Sequence, residues 1–231
     1  MSCLFVSDEL NTQNFYFCII KNVLQMNCKT LTISIGRQFG CGGRVIGQRL
    51  AEELGYDYFD KELLALAAKE IGFEPSVFEE IDEQPQKGIF QSFGEFVSML
   101  SPTDNYMSDD HLFKVQSDVI RRLAIERNCV IVGRCSDYIL RDFPNCISVF
   151  LHADLPDRIK RVCARMPIEQ DKARALIERN DKRRATYYNY YSNKTWGRAE
   201  TYDLCISVSR LGVEETVAAI IDYVNRMKAR L

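Results

Sequence analysis

The stretch Leu31–Leu54, LTISIGRQFGCGGRVIGQRLAEEL, constrains the fold of this chain more than any other. Its apolar, β-branched start, Leu31–Ile35, predicts a strand, and apolar residues from Val45 to Leu54 recur at helical spacing. Between the two lies a loop with glycines at 36, 40, 42 and 43. Glycine angles can turn backbone amides toward one point, and a helix N-terminus adds free N–H groups, so this arrangement suits an anion. We predict a phosphate site, with a tight ligand-free turn as the alternative.

The loop lacks two side chains that many phosphate-binding loops carry, a lysine that reaches the phosphates and a hydroxyl that holds Mg²⁺. When Gly40 and Gly42 are aligned with the last glycines of that pattern, the lysine position falls on Gly43 and the hydroxyl position on Val45. Arg44 is the cation close by. Arginine is larger than lysine and fixed in charge, so the exchange is not neutral.

Charge and composition limit the kinds of molecule that this chain is expected to bind. The chain has 231 residues, 46% of them hydrophobic, which suits one domain of ordinary or generous size or two small ones. A net charge of −2 with a pI near 5.8 gives no overall attraction to nucleic acid or to an acidic membrane. The apolar run Phe15–Ile20 is too short to span a bilayer, and Asp8 and Glu9 stand where an export signal is basic. We therefore expect a cytoplasmic protein without nucleic-acid or membrane partners; its oligomeric state stays open.

The nine cysteines predict reduced thiols rather than disulfides, because their number is odd and no C-x-x-C pair occurs. Only His111 and His152 could join them as metal ligands, and neither is near a cysteine pair. We therefore predict no metal held by protein side chains. Cys41 stands apart, since a thiol inside a glycine loop near a helix N-terminus could be a thiolate with a redox role.

Four further strand candidates follow the glycine loop, at residues 56–59, 129–132, 146–151 and 203–208. Helical patterns alternate with them, including His111–Asn128 and Val213–Arg230. This alternation predicts an α/β fold, a five-stranded parallel sheet with right-handed crossovers and helices on both faces. Residues 1–28 look unlike the remainder and are predicted to form an N-terminal extension to a single domain at residues 29–231.

Charged residues stand at the ends of two predicted strands, where an open α/β sheet binds its ligands. Asp60 follows strand 56–59 and either contacts a substrate or caps a helix over Lys61–Ile71. Arg134 follows the buried strand 129–132. It is predicted to bind a phosphate or nucleotide, with a structural salt bridge as the alternative.

Basic residues are concentrated on two predicted helices in an otherwise almost neutral chain. They either form solvated helix faces paired with nearby acidic residues or provide the movable cations that phosphoryl transfer requires. The set comprises Arg158, Lys160, Arg161, Arg165, Lys172, Arg174, Arg179, Lys182, Arg183 and Arg184.

Together these segments closely resemble the cytidylate kinase-like family, a branch of the nucleoside monophosphate kinases. The likeness rests first on Ile33–Arg44, which ends in the same G-G-R, and on Tyr58–Leu63. Gly133-Arg134 is similar to a glycine-arginine-aspartate element that meets the acceptor in cytidylate kinases, and Glu178–Arg184 looks like the lid of these kinases. The likeness covers roughly residues 30 to 228. It implies a P-loop kinase fold with strand order 2-3-1-4-5, an acceptor-binding flap at residues 61–110 and an arginine-rich lid region at 156–195.

The resemblance also implies substrates and residue roles, with ATP and Mg²⁺ serving the transfer to a small-molecule acceptor. The residues expected to bind ATP phosphates are Gly36, Arg37, Gly40, Cys41, Gly42, Gly43, Arg44 and Val45. The expected catalytic residues are Arg44, Arg179, Asp181 and Arg184, with Arg158, Arg161 and Arg183 as lid alternates. The residues expected to bind the acceptor are Asp60, Arg134 and Asp137.

Three functional hypotheses stay open. The first is an ATP-dependent kinase of nucleoside monophosphates, with CMP or dCMP as the acceptor. The second is a nucleotide-binding regulator without transfer activity, because the loop lysine and hydroxyl are missing and Leu64–Ala67 replaces a tyrosine-arginine pair that grips the acceptor phosphate in cytidylate kinases. The third is a kinase for another phosphate or hydroxyl acceptor.

Overall fold

The computed structural model describes residues 30–60 and 109–229, apart from the side chains of residues 109–112 and 115. The strands are β1 (Thr32–Arg37), β2 (Asp57–Phe59), β3 (Cys129–Val132), β4 (Cys146–His152) and β5 (Leu204–Ser207). The helices are α1 (Gly43–Leu54), α2 (Asp109–Glu126), α3 (Ser136–Ile139), α4 (Leu155–Arg165), α5 (Gln170–Ser192) and α6 (Val208–Lys228). The predicted extension at 1–28, the helix Lys61–Ile71 and the predicted flap as far as residue 108 lie outside the described residues.

The five strands form one parallel sheet in the order β2-β3-β1-β4-β5, which confirms the order that the family resemblance implied. In the centre, Ile33 of β1 lies opposite Val130 of β3 and Ile147 of β4. These residues are buried because helices cover both faces of the sheet. Since all strands run the same way, their carboxyl ends share one edge, and β1 and β3 deliver the glycine loop and Arg134 to it.

Helices lie on both faces of the sheet, as predicted. α1 and α6 pack on one face through residues that include Leu50 and Ile220. α2 and α3 pack on the other face, around Ile120 and Ile139. α4 and α5 share a separate cluster of buried residues formed by Ile159, Val162, Ala173 and Ile177. No helix in the described ranges is both long and apolar enough to cross a membrane.

The amino-terminal boundary of the loop is corrected. β1 continues to Arg37, so Gly36 and Arg37 pair with Phe150 and Leu151 of β4 instead of lying in the loop. An added Cβ at Gly36 would lie 2.9 Å from the Phe150 ring. Gly36 is therefore required for packing against β4 and not for turning the loop.

Other boundaries also differ from the prediction. β5 is shorter than residues 203–208, because the Asp203 carboxylate accepts hydrogen bonds from the Ser148 amide and hydroxyl, both at 2.7 Å, and Val208 already begins α6. α6 is interrupted at Gly212 (φ 77°), so its regular part starts after this glycine, as predicted. α2 begins at Asp109 and takes the last two residues of the predicted flap.

Ile35 offers a test of how much the central strand contributes to stability. Its side chain is fully buried at 0% exposure, so Ile35→Val should lower the free energy of unfolding by about 0.5–1.5 kcal/mol and Ile35→Ala by about 2–5 kcal/mol. Urea denaturation followed by circular dichroism measures both. Leu211→Ala, at a side chain that is 44% exposed, is the control and should change the value by less than about 0.5 kcal/mol. A similar loss for all three variants would contradict this packing.

Candidate active site

The glycine loop, residues 38–42, turns the chain sharply from β1 into α1. Gly40 (φ 80°) and Gly42 (φ 96°) both adopt left-handed angles that favour glycine. Gly40 also lies close to α4, since an added Cβ would be 3.1 Å from the Arg158 carbonyl oxygen and 3.1 Å from Val162. The loop therefore needs glycine at position 40 for both its turn and its contact with α4.

The first turn of α1 has amides available for an anion. Its first main-chain hydrogen bond runs from the Ile46 amide to the Gly42 carbonyl, at 3.1 Å. Within the described ranges, the amides of Arg44 and Val45 donate to no backbone carbonyl, while the Gly43 amide interacts with the Cys41 sulfur. Together with the positive end of the helix dipole, these N–H groups suit a phosphate. The Val45 side chain is 47% exposed and offers no hydroxyl.

The Arg37 side chain lies in a slot that two glycines leave open. An added Cβ at Gly133 would lie 1.9 Å from Arg37 Nη1, and one at Gly43 would lie 2.8 Å from the Arg37 Cβ. Arg37 thus crosses from the end of β1 to the end of β3. Its Nη2 reaches Asp60 Oδ1 at 3.5 Å. Glycine at positions 43 and 133 makes room for this guanidinium.

Asp60 also binds Arg44, so it joins the end of β2 to the first turn of α1. Arg44 Nε and Nη2 lie 2.9 and 2.8 Å from Asp60 Oδ2. The Asp60 side chain is only 8% exposed. Burial disfavours the charged guanidinium, but the carboxylate outweighs this, so the pKa of Arg44 is raised above its ordinary value. The predicted helix-capping role of Asp60 concerns residues outside the described ranges.

Arg134 is held in an unusual backbone turn directly after β3. Gly133, Arg134 and Cys135 all have positive φ, at 85°, 63° and 54°. Left-handed angles are costly for residues with a Cβ and are concentrated at functional sites. The Ser136 hydroxyl fixes the turn by donating to the Gly133 carbonyl at 2.8 Å, and it lies 2.6 Å from the Ser34 hydroxyl of β1.

Arg134 interacts electrostatically with Arg37 and Asp60. Burial lowers the pKa of Arg134, the nearby Asp60 carboxylate opposes this shift, and Arg37 adds to it. The ends of β1 and β3 and the first turn of α1 therefore bring Arg37, Arg134 and Arg44 near the Asp60 carboxylate, which follows β2. We call Arg37, Arg44, Asp60 and Arg134 the Asp60 cluster.

α4 and α5 hold the loop from its other side through Asp181. The Phe39 amide donates to Asp181 Oδ1 at 2.7 Å. The other oxygen of Asp181 accepts from Arg158 Nη1 of α4 in a largely buried ion pair, with side-chain exposures of 10% for Arg158 and 16% for Asp181. One carboxylate thus joins both helices to the loop backbone.

Two further arginines contact the main chain of the loop and of the end of β1 that precedes it. Arg161 Nη1 of α4 donates to the Cys41 carbonyl at 3.2 Å, and Arg184 Nη1 of α5 donates to the Arg37 carbonyl at 2.7 Å. The shape of the loop therefore depends on side chains from more than a hundred residues further along the chain. That α4 and α5 act as a lid stays a prediction.

Phe39 is a site residue that the sequence analysis missed. The guanidinium carbons of Arg165 and Arg184 each lie 5.5 Å from the centre of its ring. Cation–π contacts of this kind stabilise an arginine without neutralising its charge. The sequence feature that could have identified Phe39 is a large aromatic residue within a glycine-rich loop.

Burial, and next the like charge of Arg37, lower the pKa of Arg184 to about 9. The nearby Asp181 and Asp60 carboxylates oppose this shift.

Other predicted residues lie apart from these contacts. Arg179 is exposed, and Arg183 donates to Asn180 Oδ1 of its own helix at 3.3 Å. Asp137 accepts a hydrogen bond from the Tyr188 hydroxyl at 2.6 Å, and burial raises the pKa of its carboxyl. Of the three acceptor-binding candidates, the structure brings together Asp60 and Arg134 and turns Asp137 to α5.

The structure contradicts the thiolate that the sequence left open at Cys41. Its side chain is 0% exposed, and burial raises the pKa of the thiol despite the opposing effects of the Gly43 amide and three arginines. A helix N-terminus and nearby cations favour a thiolate only where water also reaches the sulfur. Cys41 can contribute only its backbone to an anion site.

The described residues do not fit a Mg²⁺ ion held by the protein. The nearest carboxylates to the loop, Asp60 and Asp181, are bound by Arg44 and Arg158. Within the described ranges, no group of three or more His, Cys, Asp or Glu side chains is placed to hold a metal. Mg²⁺ is therefore considered below only as part of a nucleotide substrate.

Residues 32–210 match the cytidylate kinase-like family. The chain belongs to this family. A crystal structure of an uncharacterized protein from Eubacterium ventriosum ATCC 27560 is 30% identical, with a TM-score of 0.64 over 85% of this chain and 99% of that chain. No curated protein matches.

Two enzymes of known name share the fold of this cytidylate kinase-like chain. A shikimate kinase from Bacteroides thetaiotaomicron is 14% identical, with a TM-score of 0.50 over 84% of this chain and 98% of that chain. A gluconokinase from Sinorhizobium meliloti 1021 is 15% identical, with a TM-score of 0.50 over 87% of this chain and 97% of that chain. The family and the fold are those of P-loop kinases, which transfer a phosphoryl group from ATP to a small acceptor.

Gly133→Ala should show whether position 133 requires glycine because Arg37 takes the space of a Cβ or because its backbone is left-handed. Both Gly133 and Gly55 have positive φ, but an added Cβ meets Arg37 at position 133 and nothing within 4 Å at position 55. Gly55→Ala should therefore cost about 1–2 kcal/mol of stability in urea denaturation. Gly133→Ala should cost more and weaken the binding of inorganic pyrophosphate in calorimetry, because Arg37 is displaced from Asp60. Equal effects of the two variants would contradict the slot described for Arg37.

Thiol reactivity should follow burial in this cytidylate kinase-like chain. At pH 8, iodoacetamide should modify the exposed Cys205 of the native protein and leave Cys41 unmodified until urea is added, because the pKa of Cys41 is raised and its sulfur is covered. Peptide mass spectrometry measures both sites. Fast native modification of Cys41 would restore the redox interpretation.

Proposed function

We propose that this chain transfers the γ-phosphoryl group of ATP, as its magnesium complex, to a nucleoside monophosphate, most directly CMP or dCMP. The observation that carries the proposal is that the loop amides and the Asp60 cluster lie at the same edge of the sheet. The Arg37 side chain lies against Gly43 and Gly133 and reaches Asp60, which supports a donor site at the loop and an acceptor site at the Asp60 cluster. This is the arrangement that phosphoryl transfer between two anions requires.

In the proposed reaction, an acceptor oxygen attacks the γ-phosphorus while the bond to the oxygen of the leaving ADP breaks. The chain needs no nucleophile of its own, because positioning and neutralisation of charge account for most of such catalysis. The loop amides would hold the donor phosphates, and the Asp60 cluster would hold the acceptor. Arginines from α4 and α5 would exclude water and balance the charge that develops.

The charge balance supports a phosphorylated acceptor. Among the described residues, Arg37 and Arg44 bind the Asp60 carboxylate and Arg134 lies in its field. Guanidinium groups bind phosphate with fixed geometry, so a cluster rich in them suits a phosphate monoester. The family similarity favours a nucleoside monophosphate over other phosphate esters.

A nucleotide-binding regulator is the second candidate, and a specific observation favours it. Arg44 is engaged with Asp60, and the Phe39 amide of the loop is already bound by Asp181. The loop would then bind ATP without a cation of its own in the lysine position. Binding without transfer is the expected behaviour of such a protein.

An acceptor screen distinguishes these functions. ADP release should be measured by a coupled assay with Mg–ATP and a panel of nucleoside monophosphates, shikimate and gluconate, and Mg–ATP binding by calorimetry. ADP release that depends on CMP or dCMP supports the proposal. Release with another acceptor replaces the acceptor class. Binding without acceptor-dependent release favours the regulator, and failure to bind would contradict both.

Arg134→Gln provides the test of the acceptor end. It should raise the KM for the acceptor at least about tenfold, as expected for loss of one charged phosphate contact, while leaving the KM for ATP within about threefold. Arg141→Gln is the matched control, since Arg141 is also an arginine of the segment between β3 and β4, and its exposed side chain, among the described residues, contacts the Tyr138 carbonyl and ring and Asp142. Equal effects of the two substitutions would contradict the role given to Arg134.

A further inference from the structure

We infer that a groove beside the edge strand β5 is a second binding site of this chain, for an uncharged, planar heteroaromatic ring of nucleobase size. We call it the β5 groove. Its volume is about 370 Å³, which lies in the range of small-molecule sites. The residues that line it include Gln38, Phe150, His152, Trp196, Ala199 and Cys205. None of them belongs to the Asp60 cluster or to the first turn of α1, so the inference goes beyond the proposed function.

The β5 groove and the Asp60 cluster lie on opposite sides of α5. Tyr187 of α5 interacts electrostatically with Arg134 of the cluster, and its ring centre is 6.2 Å from that of Phe113 in α2. The next residue, Tyr188, packs instead toward Tyr202, which precedes β5, with ring centres 6.3 Å apart. Because α5 runs between the two regions, the β5 groove is separate from the site proposed for phosphoryl transfer.

The β5 groove forms where the cover of the sheet ends. Phe150 of β4 is 3% exposed, whereas Cys205, its partner on β5, is exposed. Trp196 lies at this border with its ring perpendicular to that of Phe150, at 88° and 5.2 Å between centres. An added Cβ at Gly197 would lie 3.0 Å from Phe150 Cζ, so glycine lets the backbone approach that ring. A partly exposed indole beside a phenyl ring offers a flat surface on which a planar ring can stack.

The polar groups of the β5 groove determine the class of ligand. His152 stands two residues after Phe150 on β4, so both side chains lie on the same face of the sheet. Its imidazole and the Gln38 carboxamide can exchange hydrogen bonds with the edge of a heteroaromatic ring. The described lining contains no Asp, Glu, Lys or Arg, and therefore no counter-charge for a phosphate or a carboxylate. An uncharged ring with donors and acceptors on its edge fits this set.

Gln38 connects the β5 groove to the glycine loop. Its amide donates to the Leu151 carbonyl at 3.0 Å, and its Oε1 accepts from the Ala153 amide at 3.1 Å. Both contacts attach the first residue of the loop to the end of β4. A ring bound in the β5 groove would therefore contact the residue with which the loop begins.

Trp196 is the single tryptophan of the chain, so its fluorescence reports on the β5 groove directly. Titration of the full chain with adenine and, separately, with cytosine should quench this fluorescence. We expect a dissociation constant of about 1 mM or below for ligands of this size. Cyclohexanol is not planar and cannot stack, so it should require at least about tenfold higher concentrations.

Cys205 provides a second readout, because its thiol lines the β5 groove and is exposed in the native chain. Cytosine at about four times its dissociation constant should slow alkylation of Cys205 by iodoacetamide about fivefold, by mass action. The rate after unfolding in urea should not respond to cytosine. Peptide mass spectrometry measures both rates.

Two substitutions at one position locate the ligand. Cys205→Phe places a large residue that suits a strand in the β5 groove and should abolish quenching by adenine and cytosine. Cys205→Ser leaves the groove open and is the matched control, which should respond as the unmodified chain does. If circular dichroism shows that Cys205→Phe does not fold, His152→Ala replaces it and should weaken binding at least about threefold through loss of a hydrogen bond.

The outcomes decide the inference whether or not the chain transfers phosphate. Quenching that Cys205→Phe or His152→Ala reduces and Cys205→Ser retains supports it. Quenching that is insensitive to these changes, equal potency of cyclohexanol, or absence of both quenching and protection would overturn it. Saturating Mg–ATP should leave the response to cytosine unchanged. If Mg–ATP removes that response, the groove is part of the donor site and the inference of a second site fails.

Discussion

The Asp60 carboxylate allows several arginine side chains to lie close together in this site. Arg37 and Arg44 would repel each other at the mouth of the sheet, but both bind the same carboxylate, and Arg134 lies in its field. Because Asp60 is largely buried, its interactions with them are screened less by water than those of surface ion pairs. The glycines at 43 and 133 then follow as a steric requirement, since any side chain there would displace Arg37.

A second constraint acts on the glycine loop, where we propose that the ATP phosphates bind. In a loop that carries its own lysine, the backbone shape and the cation come from the same short segment. Here the backbone is shaped by Asp181, Arg161 and Arg184, which reach it from α4 and α5. The loop, α4 and α5 together thus provide what a single short segment provides in those loops. Glycine stands at the lysine position because the Arg37 side chain occupies the space next to Gly43.

Much of the fold could be predicted from local pattern, and much of the site could not. Buried apolar runs and helical periodicity predict the strands and helices, since both depend on neighbours in sequence. Strand order depends on distant pairing, and here it required the family resemblance. The same limit applies to Arg44: spacing along the chain places it near the loop, but its partner Asp60 is found only in three dimensions. A thiolate at Cys41 stayed open because burial, which outweighs its positive surroundings, cannot be read from one motif.

The hold of Asp181 on the Phe39 amide has a consequence for how the protein is made. All glycines of the loop are synthesised early, yet the carboxylate that fixes the loop follows 142 positions later. A nascent chain that has left the ribosome only as far as β4 would contain the strand, the glycines and α1 without the groups that give the loop its shape. The loop therefore acquires its final shape late in translation, when α5 is synthesised.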